Sequence, residues 1–116
     1  MPIQNMQGPY LFTRGNVDYH ISKTQAGNYV LGIRNKNGNF DVRYVGRSDT
    51  DVNDRIKDHL QEGYTYFMFC YASSPKDAFE TECRQYHAFG GNTRLDNDVH
   101  PDRPSNAKNW KCPVCG

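Results

Sequence analysis

Apolar and polar positions along the chain sort into three strand-like stretches and two helix-like ones. Asn28 to Ile33 is rich in Tyr, Val, Leu and Ile and predicts a strand. Phe40 to Val45 predicts a second, and the polar Asn35-Lys36-Asn37-Gly38-Asn39 run between them carries the Asn-Gly signal of a hairpin. Val52, Ile56 and Leu60 then recur every four residues, one apolar stripe that predicts a helix. Ser48-Asp49-Thr50-Asp51 supplies N-cap residues ahead of it, and Gly63 ends it. Tyr64 to Ala72 is almost wholly apolar or aromatic, as in a strand buried on both faces. A second helix opens at Ser74-Pro75-Lys76-Asp77, with Ser74 as cap, Pro75 in the first turn and Asp77 completing a capping box. Phe79, Cys83 and Tyr86 form its core face, and Gly90-Gly91 stops it. Elsewhere the pattern is weak. Tyr10 to Ile21 reads as irregular with some extended character, and from Asn92 onward the chain is polar and Pro-rich up to Cys112-Pro113-Val114-Cys115. The order predicts one α+β domain over residues 1–116, a small and mainly antiparallel three-stranded sheet flanked by helices. Its core spans about residues 10–97, and residues 98–116 form an irregular tail.

Composition narrows the class. A length of 116 residues suits a single domain, and 13% aromatics is more than a disordered chain carries. A formal net charge of +1 points to no partner by itself and leaves room for a local basic patch. No apolar run approaches the roughly 20 residues of a membrane span, so no membrane partner is expected. The first residues show no basic region followed by an apolar stretch, so no signal peptide is expected. A cytoplasmic, reducing location follows as the default, where the four cysteines are thiols or metal ligands rather than disulfides.

Gly27-Asn28-Tyr29 lies at the head of the first strand and Tyr44-Val45-Gly46-Arg47-Ser48 at the end of the second. Arg55 follows eleven residues after Tyr44, His59 four further on, and Glu82 on the second helix. This order resembles the GIY-YIG nucleases, over about Gly27 to Asn97. Three features differ from the usual family pattern: Asn28 stands where a branched apolar residue is usual, the hairpin is longer, and one extra residue separates Tyr44 from Arg55. The resemblance implies a divalent-metal-dependent endonuclease that hydrolyses phosphodiester bonds in DNA, or RNA. Tyr29 would be the general base or water-orienting group, with Tyr44 assisting. A phenol near a metal and a cation can have its pKa lowered for that task. Arg55 would stabilise charge on the phosphate, since a guanidinium matches its geometry with paired donors. Glu82, a hard oxygen ligand, would hold one Mg²⁺ or Mn²⁺, with Glu80 as its competitor. His59 lies one helical turn from Arg55 and can face the same cleft. The family often closes its core with an Asn, for which Asn97 is the first candidate, ahead of Asn92 and Asn106. Read one at a time, each of these residues is as easily a core tyrosine or a solvated helix face; their joint order carries the resemblance.

The tail carries separate chemistry. Cys112-Pro113-Val114-Cys115 is a Cys-x-x-Cys knuckle, a spacing that turns two sulfurs toward one zinc. Cys83 and His87 are i and i+4 on the second helix and share a face, so Cys83, His87, Cys112 and Cys115 are the expected structural Zn²⁺ ligands. His100 is the substitute for either helix ligand, and a buried core thiol is the competing role for Cys83. Such a site would fix the helix that also carries Glu82. The alternative to an enzyme is a catalytically inactive nucleic-acid or protein-binding module that keeps the zinc site.

Overall fold

The computed structural model describes residues 6–97, 100–101 and 109–115. Strand β1 (Gln7–Leu11) and helix α1 (Arg14–His20) precede the β2–β3 hairpin (Gly27–Arg34 and Phe40–Ser48). Helix α2 (Val52–Ile56) tightens into a 3₁₀ turn at Lys57–His59; strand β4 (Tyr66–Tyr71), helix α3 (Pro75–Ala88) and a 3₁₀ turn at Gly91–Thr93 follow. The four strands form one antiparallel sheet in the order β1-β4-β2-β3.

The central strand β2 explains the two-sided core. Its side chains alternate between faces. Tyr29 and Leu31 pack with Phe67, Phe69, Val52, Ile56, Val17 and Ile21, which places α1 and α2 on that face. Val30 packs with Val45, Met68, Tyr86 and Leu95, which places α3 on the other. Asn28 also faces α3, where its Nδ2 donates to the Ala78 carbonyl at 2.9 Å. A branched apolar side chain could not make that bond, which ties the strand to the helix's first turn.

Local sequence accounts for the turns and caps. In the hairpin, Asn35 Oδ1 accepts from the backbone N–H of Asn37 and Asn39, and Gly38 takes φ +83°. Asp51 caps α2 by accepting from the Asp54 N–H, and Ser74 caps α3 by accepting from the Asp77 N–H. Asp77 closes its box one residue earlier than the motif implies, on the N–H of Ser73.

Two expectations need correction. The sheet has four strands rather than three, because β1 begins ahead of the Tyr10 to Ile21 segment read as irregular and that segment supplies its end and all of α1. Pro9 lowers the strand signal, yet β1 is an edge strand, where a missing N–H costs little. In α1 the one buried residue is Val17, too sparse a stripe to register as a helix; Thr13 caps it by accepting from the Asn16 N–H. Cys70, expected in the core, is only half-buried on β4. No helix among the described residues is long and apolar enough to cross a membrane.

Candidate functional site

A cleft opens along the free edge of the sheet, at β3. Tyr29, Tyr44, Arg47, Arg55, Glu82 and Asn97 all line it, together with the Ser48–Thr50 turn and His100-Pro101. An edge strand is what makes this possible. Tyr44 lies on the α2 face and Arg47 meets α3, so residues from both layers reach one opening around the strand.

The α2 side is an aromatic relay. Tyr29 is almost fully buried, and its hydroxyl lies 3.0 Å from His59 Nε2. His59 Nδ1 lies 2.8 Å from Glu62 Oε1. With Nδ1–H donating to Glu62, Nε2 accepts the Tyr29 hydroxyl proton. Tyr44 stacks on Tyr29 at a centroid separation of 6.5 Å and touches the His59 ring at 4.6 Å. Gly46 is the cross-strand partner of Tyr29. A Cβ there would collide with Cζ and Oη of the Tyr29 ring, so glycine at this point of Tyr-Val-Gly is a requirement of the tyrosine opposite. Burial raises the Tyr29 phenol above its ordinary range and outweighs the opposing pull of Arg55. Burial likewise raises Tyr44. The acceptor nearest the Tyr29 hydroxyl is His59 Nε2. Glu62, three residues beyond the end of the 3₁₀ turn, reads in the sequence as one more exposed acid. Its spacing of three from His59 was the available signal.

The α3 side is charged. Glu82 is buried, and its Oε1 accepts from Arg47 Nη1 at 2.6 Å. Arg47 Nε donates to Asp49 Oδ1 at 3.0 Å, and the guanidinium lies over the Phe79 ring at 5.2 Å. Burial raises the Glu82 carboxyl, partly offset by Arg47. Glu80, the competing acid, lies away from the cleft and is 3.9 Å from Arg84. Arg47, in the sequence one residue of the Tyr44-Val45-Gly46-Arg47-Ser48 motif, is the direct partner of the glutamate. Asn97 holds the β3 edge: its Oδ1 accepts from the Val45 N–H at 3.0 Å and its Nδ2 donates to the Val45 carbonyl at 2.8 Å. Both ends of its amide are engaged with backbone, so it shapes the cleft rather than reaching across it. Asn92 is exposed outside the cleft, and Asn106 lies outside the described residues.

Beside this cleft, His87, His100, Cys112 and Cys115 converge, with one ligand atom from each within 4.8 Å of the others. His87 Nε2 lies 3.0 Å from His100 Nε2, and Cys115 Sγ lies 3.5 Å from the same nitrogen. A tetrahedral ion bound at about 2.0–2.3 Å places neighbouring donors roughly 3.3–3.8 Å apart, so this set could close on a metal such as zinc with small shifts. Burial opposes ionisation of Cys112, but hydrogen bonds from the Cys115 and Val114 backbone and from His100 hold its thiol down at about 6. Cys83 is not a member, and this corrects the expected set. It is fully buried against Phe79, Cys112 and Trp110, and burial raises its thiol above the ordinary range. Sharing a helix face with His87 placed it near the site, one turn too deep in the core. His100 takes the vacated role. His100 also lines the cleft, so the two sites share a wall. Comparison of the chain with protein-family models, with curated proteins and with solved structures finds no match to any of them.

Proposed function

We propose that the chain is a GIY-YIG-type endonuclease that hydrolyses phosphodiester bonds in DNA, with RNA as the second choice of substrate. The observation that carries this reading is the Tyr29–His59–Glu62 relay opening onto the same cleft as Arg55 and Glu82. A water attacking phosphorus gives its proton to the Tyr29 oxygen as the Tyr29 hydroxyl proton passes to His59 Nε2, while the P–O bond to the leaving sugar oxygen breaks and that oxygen takes a proton from solvent. Glu62 holds the imidazole and stabilises the imidazolium that forms. Arg55, exposed at the rim, offers paired donors to the phosphate as charge grows on it. The carboxylate of Glu82 is buried, lines the cleft, and among the described residues has Arg47 as its only hydrogen-bond donor, which suits it to a hard cation. Mg²⁺ or Mn²⁺ bound there would supply Lewis-acid stabilisation of the phosphate oxygens. His87, His100, Cys112 and Cys115 would hold one Zn²⁺ in a structural role, as the two-nitrogen, two-sulfur donor set favours. A reducing compartment such as the cytoplasm keeps the two thiols available as ligands.

A second reading is a non-catalytic nucleic-acid or protein-binding module. The Arg47–Glu82 ion pair favours it, because it already neutralises the carboxylate.

Supercoiled plasmid incubated with Mg²⁺ or Mn²⁺ separates the two. Cleavage by the wild type that is lost in both Arg55→Ala and Glu82→Ala supports the enzyme. Cleavage that survives both substitutions removes the site, and an intact plasmid beside retained DNA binding favours the module.

A further inference from the structure

We infer that Arg47 is a built-in competitor of the divalent cation at Glu82: its guanidinium occupies the carboxylate in the resting chain and gives it up when the cation binds. This rests on the reading of Glu82 as the cation's ligand. Arg47 Nη1 lies 2.6 Å from Glu82 Oε1, the distance of a strong charge-assisted hydrogen bond. Both side chains are largely removed from water, at 13% and 11% exposure, so the attraction is poorly screened. A buried carboxylate stripped of its partner is costly, and Arg47 removes that cost before any ligand arrives. A divalent cation at the same oxygen would lie within a few ångströms of the guanidinium and be repelled by it. The geometry also provides a place for Arg47 afterwards. Nε, Nη1 and Nη2 share one rigid plane, so the guanidinium pivots as a unit about its stem, leaving Glu82 for Asp49, which already holds Nε. The pair therefore lowers cation affinity and keeps the empty cleft folded.

Mn²⁺ binding, followed by electron paramagnetic resonance on full-length protein saturated with zinc, tests this directly. Arg47→Met keeps the packing on Phe79 and removes the charge. It should tighten the Glu82-dependent Mn²⁺ dissociation constant by roughly tenfold, and Glu82→Gln should abolish that binding in either background. Unchanged or weaker binding in a folded Arg47→Met protein overturns the competition and leaves Glu82 as a cation ligand. Equal binding by wild type and Glu82→Gln overturns both claims. Should Arg47→Met fail to fold, the wild-type Arg47 Nε–H NMR signal decides. It should shift during Mg²⁺ titration, and a signal indifferent to Mg²⁺ overturns the proposal.

Discussion

The cleft and the His/Cys cluster share helix α3 and the residue His100, yet they are assembled on different principles. Tyr29, Tyr44, Arg47, Arg55 and Glu82 sit on strands and helices whose backbone hydrogen bonds and buried faces fix them without any ligand. In the cluster, His87 alone comes from a regular element; His100, Cys112 and Cys115 come from irregular chain. A site on regular elements is preorganised by the core. A site gathered from loops would draw its order from an ion that closed it, so metal binding there would be coupled to folding. Substitutions in the cleft should then change chemistry and leave metal content alone, and substitutions in the cluster should change metal content and stability first.

The largest test of this contrast is Cys112→Ser. Metal content should fall from about one zinc per chain to near zero, and the melting temperature by ~10 °C or more. Full metal retention would mean that the cluster is not the site. Tyr29→Phe comes next: cleavage should slow about a hundredfold, ~2.7 kcal/mol, with zinc content and stability nearly unchanged. An undiminished rate would remove the relay. Gly46→Ala should destabilise by ~2 kcal/mol in urea unfolding and slow cleavage as well, because relief of the clash has to move the Tyr29 ring. A variant as stable and active as wild type would show that the ring has room to move. Cys83→Ala should have the smallest effect, ~1 kcal/mol from a shallow cavity beside Trp110, with the zinc retained. Loss of zinc from this variant would return Cys83 to the ligand set.

The hairpin, the caps of α2 and α3 and the core stripe of α3 were legible in the sequence, since each depends on residues within a few positions of one another. The Asn-rich turn, Asp51, Ser74 and the Phe79–Cys83–Tyr86 face all occur where the pattern places them. β1 was not legible, because a strand with Pro9 and three of its five residues exposed becomes a strand only beside β4. Within the cleft, the order Tyr29, Tyr44, Arg55, Glu82 was visible as spacing. The partners that give those residues their chemistry, Glu62 behind His59 and Arg47 on Glu82, were not.

What the sequence determined by itself is therefore local: which segments turn, cap and bury a face, and which residue types with metal or phosphate chemistry the chain owns. The tertiary structure decided which of them meet. Glu82 is 35 positions from Arg47, and no periodicity spans that interval. Cys83 and His100 were both candidates for one ligand position, and the choice between them rests on depth. Cys83 lies in the dry core under Phe79, whereas His100 reaches the open side where two sulfurs and a second imidazole converge. Sequence spacing reports the face of a helix; only packing reports how far below the surface that face lies.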